Sequence, residues 1–306
     1  STGAPKPVHR RFDTLVGAAR MLASVLPLPD GAGIIGAVPL DRALGANNAL
    51  MLATVTGRPL GLLDRFDHND FLALCEERAW GYWAGTPALA DVLSRSTRPV
   101  PPGMPPWGTV AGRISAPLAD AYRQRFGVPL RALYGTTETF TVAAALGPAD
   151  EIRPGTVGRP LPGIDVAIGA PGASLAPGEA GRVWIRSPWM MDGYGYPPAP
   201  ANPVENGWWA TPDIGRLDAD GHLTIVGRAD DRIRTAAGHV LDPQPIAAAL
   251  EGVDGVREVV VLPVDETTGA SFAVLVEADA SVRTSGLRAA MSAVLPAAAL
   301  PRRLRV

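Results

Sequence analysis

Cysteine and lysine are nearly absent from this chain: among 306 residues there is one cysteine, Cys75, and one lysine, Lys6. A single thiol excludes an internal disulfide, and neither a redox pair nor a cysteine/histidine metal spacing is present. Cys75 follows Phe71-Leu72-Ala73-Leu74 on a segment that reads as a helix, so it is expected to be a packed structural thiol. Long apolar runs are missing as well. None reaches the ~18 residues of a membrane span, and no charged-then-apolar leader opens the sequence. An excess of either charge is also lacking: 28 Lys plus Arg against 30 Asp plus Glu leave a net charge of -2. No global field therefore draws the chain to nucleic acid or an anionic membrane. These absences lead us to expect a soluble, cytoplasmic protein that recognises small molecules, with no nucleic-acid and no membrane partner. Arginine stands at every other Lys/Arg position, as in a GC-rich coding background, which makes the surviving Lys6 a candidate functional group.

What is present is ample apolar material. With 47% apolar residues over 306 positions, the chain can build two or more domains with their own cores. From Phe12 to Tyr134, helical patterns alternate with short apolar strands. Leu15 to Leu26 and Ala46 to Val55 read as helices, Ile34 to Val38 and Pro59 to Leu63 as strands, and Asp67 as the cap of a helix running towards Arg78. Such alternation predicts a doubly wound parallel α/β sheet, whose ligands sit beyond the carboxyl ends of its strands. From Thr156 the pattern changes to short strands between Gly/Pro turns, with alternation in Arg182 to Arg186. After a charged junction near Asp230 it changes again. Arg234 to Leu241 reads as a hairpin, Pro243 to Glu251 and Leu287 to Leu295 as helices, and Val256 to Val264 and Ser271 to Glu277 as strands, a small α+β pattern.

At the end of one predicted strand stands Tyr134-Gly135-Thr136-Thr137-Glu138. An aromatic ring, a glycine that lets backbone approach a ligand, two hydroxyls and a carboxylate suit a nucleotide with its metal. The ring can lie against adenine, the hydroxyls of Thr136 and Thr137 can donate to phosphate, and Glu138 can hold Mg2+. Taken alone, the pentapeptide also reads as a polar turn after a strand.

This motif resembles the core motif of the adenylate-forming superfamily, which includes acyl- and aryl-CoA ligases, peptide-synthetase adenylation domains and luciferases. Further segments resemble the family's signatures in order. Ser1-Thr2-Gly3-Ala4-Pro5-Lys6 is similar to the second half of the phosphate loop, which implies phosphate contacts for Gly3 and Lys6. Pro39 to Gly45 is similar to a segment guarding the acid pocket, where Arg42 replaces the usual histidine or aromatic. Ala111 to Leu118 resembles the Gly-rich segment bordering adenine and acyl pocket, with altered spacing, and implies roles for Gly112 and Ser115. Val157 to Gly163, Gly178 to Arg186 and Gly193-Tyr194 resemble a small β-barrel subdomain and read as scaffold. Gly207 to Asp213 is similar to the segment whose aspartate binds ribose, implying that role for Asp213, although Pro212 replaces a glycine. In Leu223 to Ile233 the resemblance implies a ribose and phosphate contact for Arg228 and a hinge at Asp230. Ala236-Ala237-Gly238-His239 is similar to a thiol-proximal loop, with Ala237 at a usually basic position.

The resemblance implies an ATP-dependent acid ligase that forms an acyl adenylate and then a thioester. Its cofactors would be ATP and Mg2+, its substrate a small carboxylic acid, and its thiol acceptor CoA or an acyl carrier protein. Thr137, Glu138 and Lys6 would serve the first step. The expected layout is a partial large domain over residues 1–229, α/β to about 150 and β-barrel over about 151–226, followed by a truncated, mobile small domain over 230–306. A carrier-loading ligase, a peptide-synthetase-like domain and a non-catalytic nucleotide-binding module are the alternatives. The family's bridging lysine has no counterpart, so the chain is expected to be a fragment lacking both termini and to form adenylate slowly if at all.

Overall fold

The structure is a computed structural model that describes residues 7–195, 203–231, 233–234, 240–266, 269–295, 300–301 and 303–306. The chain divides into two compact units, one of Ser1–Thr211 with Arg216–Ile225 and one of Pro212–Gly215 with Val226–Val306. Among the described residues no helix is long and apolar enough to cross a membrane.

The first unit is organised by a seven-stranded sheet in the order Leu60–Leu62, Gly33–Gly36, Trp80–Gly85, Trp107–Ala111, Leu130–Thr136, Phe140–Ala144, Arg159–Pro160. Its first five strands are parallel and the last two antiparallel. The parallel strands are apolar on both faces because helices cover both. Neighbouring residues accordingly enter different cores. Ile34 and Tyr82 join Leu22, Leu52 and Val142 on one side, whereas Ile35 and Trp83 join Phe71, Leu93 and Tyr122 on the other. The second core is pinned by geometry as well as by area. Trp83 Nε1 donates to the Tyr122 hydroxyl at 3.0 Å, and Phe71 meets the Trp83 ring edge-on at 5.4 Å.

Local signals explain where the helices start and stop. Asp67 caps His68–Glu77 by accepting from the backbone N-H groups of Asn69 and Asp70, as expected of it. Thr86 and Ser115 cap Pro87–Arg95 and Ala116–Phe126 in the same way, each with proline in the first turn, and Gly127 ends the latter helix at φ 71°. One segment departs from expectation. In place of a regular helix over Ala46 to Val55, a turn of α-helix at Ala43–Gly45 leads into a π-helix at Ala46–Met51 and then an α-helix at Leu52–Thr56. Glycine is required at 45, where any side chain would strike the carbonyl oxygens of Val38 and Pro39, and the turn that follows takes Asn47 and Asn48 into the interior.

A β-rich part follows. Asp165–Ile168 pairs antiparallel with Gly181–Arg186, and Val204–Glu205 pairs with the start of the strand Trp208–Leu217. The latter hairpin closes through Asn206-Gly207, both at positive φ (49° and 77°), the backbone that an Asn-Gly pair adopts most readily.

The second unit is α+β. Val256–Glu266 and Gly269–Ala278 form an antiparallel pair, Arg303–Arg305 lies parallel to the latter, and Pro243–Glu251 and Thr284–Ser292 are its helices. Ile246, Leu250, Phe272, Val274, Leu287 and Met291 make its core.

Cys75 is fully buried on the helix His68–Glu77, and desolvation raises its pKa to about 12. We therefore expect a thiol reagent at pH 8 to leave the native protein unmodified and to modify one thiol per chain in denaturant. Rapid labelling of the native protein would show that this core opens.

Candidate functional site

The strand Leu130–Thr136 runs from the interior to the surface. Leu130 through Tyr134 are buried, Gly135 is exposed, and Thr136, Thr137 and Glu138 form the turn into Phe140–Ala144. Tyr134 is 9% exposed and its ring belongs to the core of that side. Glycine is required at 135 by close approach, because a Cβ there would run into the Phe140 carbonyl as the returning strand crosses. Phe140 is held at φ 63°, a left-handed conformation that costs a bulky residue strain and persists only where its surroundings enforce it.

Within the turn the hydroxyls divide their work. Thr136 Oγ1 accepts from the Glu138 N-H at 3.2 Å and shares a hydrogen bond with Thr139 Oγ1 at 3.0 Å, so it shapes the turn. Thr137 stands exposed. Glu138 is half-buried, and its Oε1 accepts from the Tyr194 hydroxyl at 2.7 Å. Burial first, then the bond to Glu138 and its charge, raise the Tyr194 pKa. Among the described residues no hydrogen bond reaches Oε2. A carboxylate with one oxygen anchored and one remaining, beside an exposed hydroxyl, is an oxygen donor set of the kind Mg2+ takes.

Beneath the turn lies Arg10. Its two terminal nitrogens donate to the carbonyls of Trp189 and Thr137, each at 2.7 Å, and its guanidinium sits 3.6 Å from the centre of the Phe140 ring. Desolvation lowers its pKa to about 10, against the opposing fields of Glu138 and Asp192. It stays a cation at neutral pH. One residue beyond Phe140, the returning strand is fixed by a buried polar chain. Thr141 Oγ1 donates to Asn48 Oδ1 at 3.2 Å, Asn48 Nδ2 donates to the Tyr82 hydroxyl at 3.2 Å, and that hydroxyl meets Thr109 Oγ1 at 2.6 Å. The π-helix thus delivers the amide that holds the strand following the motif.

The other candidate residues fall as follows. Gly112, at φ 138°, is exposed just past the strand Trp107–Ala111, and Ser115 caps the next helix through its hydroxyl. Arg42 is a surface residue with 77% side-chain exposure, 3.9 Å from Asp41. Asp213 is buried within the strand Trp208–Leu217. Pro212, which replaces a glycine of the family segment, lies inside this strand. Arg228 ends the strand Leu223–Arg228, half exposed and 3.9 Å from Asp231, and Ala229–Asp231 forms a 3-10 turn. Gly3, Lys6, the Asp230 side chain and Ala236 to His239 lie outside the described residues.

Sequence reasoning gave Arg10 no role and read Tyr194 as scaffold. No local signal marks Arg10 in a chain whose ordinary cation is arginine. Tyr194 lies 56 residues from its partner Glu138.

One further cluster has metal-like composition, Asp218, Asp220 and His222, but Arg153 already engages both carboxylates, at 2.7 and 2.5 Å. It is a tied turn.

Fold and motif together define an α/β protein with a half-buried carboxylate at a strand end, and comparison with known proteins gives its family. The family model of AMP-binding enzymes matches residues 1–195, and the chain belongs to that family. It is 29% identical over 278 residues to a 2-succinylbenzoate-CoA ligase of Geobacillus kaustophilus, covering 88% of this chain and 55% of the relative. A p-hydroxybenzoic acid-AMP ligase of Mycobacterium tuberculosis is 30% identical over 283 residues, covering 89% of this chain and 39% of its own. The crystal structure of ATP-bound MatB from Rhodopseudomonas palustris shares the fold, with a TM-score of 0.85 at 22% identity over 99% of this chain and 62% of that one. The chain spans about half the length of the curated relatives it matches.

Two measurements follow from this geometry. Asn48→Ala leaves the Thr141 hydroxyl without its acceptor in the interior, and urea unfolding should show a loss of about 1 to 3 kcal/mol; a neutral result would remove the polar chain from the account. Burial pushes the Asp218 carboxyl up, but the His222 N-H, Arg153 and the Asp220 N-H outweigh it and hold the pKa at about 2. A depressed carboxylate stabilises the fold fully above its unfolded pKa of about 3.9, and that stability is lost as pH falls towards the folded value. Asp218→Asn should therefore lower stability at pH 7, and its deficit should shrink between pH 4 and 2 in urea titrations. A deficit independent of pH would rule out this charge as its source.

Proposed function

We propose that this chain is the nucleotide-binding part of an AMP-forming acid-thiol ligase acting in the cytoplasm. In the first step a substrate carboxylate attacks the α-phosphorus of ATP, forming the acyl-phosphate bond of an acyl adenylate as the bond to pyrophosphate breaks. In the second a thiol attacks the acyl carbon and AMP leaves with the electron pair of the broken bond. The observation that carries this reading is the half-buried Glu138 at the mouth of a parallel sheet, in a chain of the AMP-binding family.

In this proposal Glu138 holds Mg2+, which when bound neutralises polyphosphate charge and polarises the phosphoryl group. Thr137 offers its exposed hydroxyl to a phosphate oxygen, and Gly135 and Thr136 set the backbone that presents it. Tyr134 borders the adenine with Gly112, its ring backed by the core. Asp213 accepts from the ribose hydroxyls, Arg228 reaches ribose and phosphate, and Asp230 is the hinge of a mobile small domain over residues 230–306. Gly3 and Lys6 contribute to the phosphate loop, while Ser115 and Arg42 face the acid. Positioning and electrostatics are the main work of these groups.

The acid is a small acyl or aryl carboxylate, and CoA is the acceptor in the reading that the 29% identity to a 2-succinylbenzoate-CoA ligase supports. In a second reading the adenylate is passed to the thiol of a carrier protein; the name of the p-hydroxybenzoic acid-AMP ligase, which states adenylation and no CoA, is compatible with it.

The test has two parts. The 306-residue chain should bind ATP saturably, with AMP competing and GTP not. In a chain extended to the length of the relatives, an aryl or acyl acid should drive exchange of pyrophosphate into ATP, and Glu138→Gln should lower that exchange by ~10² to 10³. ATP binding without exchange for any acid in a broad panel would leave a nucleotide-binding module and refute the ligase.

A further inference from the structure

Two side chains converge on the Thr137–Glu138 turn from one short ribbon. Val8–His9 pairs antiparallel with Gly193–Tyr194, with Val8 opposite Tyr194 and His9 opposite Gly193. Arg10 follows the first strand directly. The ribbon therefore aims a phenol at the Glu138 carboxylate, through the 2.7 Å bond from Tyr194, and a guanidinium at the carbonyl of the preceding residue, through the 2.7 Å bond from Arg10. A third tether runs from the Met191 N-H to the Glu138 carbonyl at 2.9 Å, three residues before Tyr194 in the same segment. The peptide groups on both sides of the Glu138 Cα and one side-chain oxygen are thus all held.

A glutamate on a solvated turn spreads over several rotamers, and a cation that needs one of them must bear the ordering cost. A donor on one carboxylate oxygen fixes the rotation of the group and leaves the other oxygen as the ligand. Partners of this kind are a large part of a metal site's affinity. Resting on the reading of Glu138 as the cation's ligand, we infer that Tyr194 and Arg10 are positioning residues, which hold the Glu138 carboxylate and the backbone beneath it ready for the divalent cation of a nucleotide. Tyr194 acts on the side chain and Arg10 on the turn. Neither touches the reacting atoms.

The experiment uses Mn2+ in place of Mg2+, with a non-hydrolysable ATP analogue and the 306-residue chain, and follows free Mn2+ by electron paramagnetic resonance. Wild type should take up Mn2+, and Glu138→Gln should take up less. Tyr194→Phe, which removes only the hydroxyl, should weaken uptake about 10-fold. Arg10→Lys, which keeps the charge but cannot fork to two carbonyls, should weaken it by less and serves independently should the tyrosine variant unfold in a thermal melt. In the Glu138→Gln background, Tyr194→Phe should have no further effect, an outcome that a merely structural role for the ring would not produce. If Glu138→Gln binds Mn2+ as wild type does, the assignment of Glu138 as ligand fails and this inference falls with it. Should Glu138→Gln weaken uptake while both Tyr194→Phe and Arg10→Lys match wild type, or should the tyrosine effect persist undiminished without the carboxylate, the inference alone is overturned.

Discussion

Arg10 carries a charge into a half-buried position, and a guanidinium withdrawn from water has to replace its lost hydrogen bonds. It does so with two carbonyls more than a hundred residues away in sequence, Thr137 and Trp189, and with the face of Phe140. Phe140 in turn sits at a φ that its side chain disfavours, while Gly135 lets the returning strand pass close enough for that geometry to close. Each accommodation depends on the others. Taking away the cation would release the ring, the strained residue and the carbonyl that precedes Glu138 together, so the shape of the turn is a property of the set.

The doubly wound half of the chain was legible from sequence because its signals are local. Fully apolar strands and a capping aspartate each declare themselves within a few residues, and in the second unit the Pro243–Glu251 helix has the bounds its pattern predicts. The motif at Tyr134 to Glu138 was equally legible, since strand and turn chemistry lie side by side. Three things were not. Over ten residues, apolar periodicity does not separate an α-helix from the π-helix at Ala46–Met51, because the wider turn answers to partners of Asn48 at Tyr82 and Thr141, 34 and 93 residues away. The Tyr194 and Arg10 contacts span 56 and 127 residues, beyond the reach of any local pattern. The strand through Pro212 went unread because a proline says that a donor is missing, and only the sheet says whether one was needed there.

Composition also shapes what the structure can express. With arginine as the nearly universal cation, forked and stacked contacts become the ordinary means of tying loops together. Arg153 bridges Asp218 and Asp220, Arg131 lies 4.1 Å from the Trp107 ring centre, and Arg186 lies 4.8 Å from that of Trp208 while pairing with Asp165 at 2.9 Å. A rigid planar fork holds two separated acceptors, or a carboxylate and a stacked ring, in a fixed geometry that a compact ammonium group does not impose. Scarcity of lysine is therefore more than a coding bias: it gives the bracing of these loops to arginine.

The π-helix has a consequence for how this protein can change over generations. It holds one residue more per turn than its α-helical flanks, and that surplus brings Asn48 round to Tyr82 and Thr141. A substitution in Ala46–Met51 alters one side chain, whereas a single-codon deletion removes the surplus itself. The turn would relax to an ordinary helix whose flanks keep their mutual orientation, while the residues within it would be redistributed and Asn48 would leave Tyr82 and Thr141. Chain length in this segment therefore sets the buried polar chain as residue identity at Asn48 does. Insertions and deletions, tolerated on a surface loop, would here act as switches of the buried polar chain.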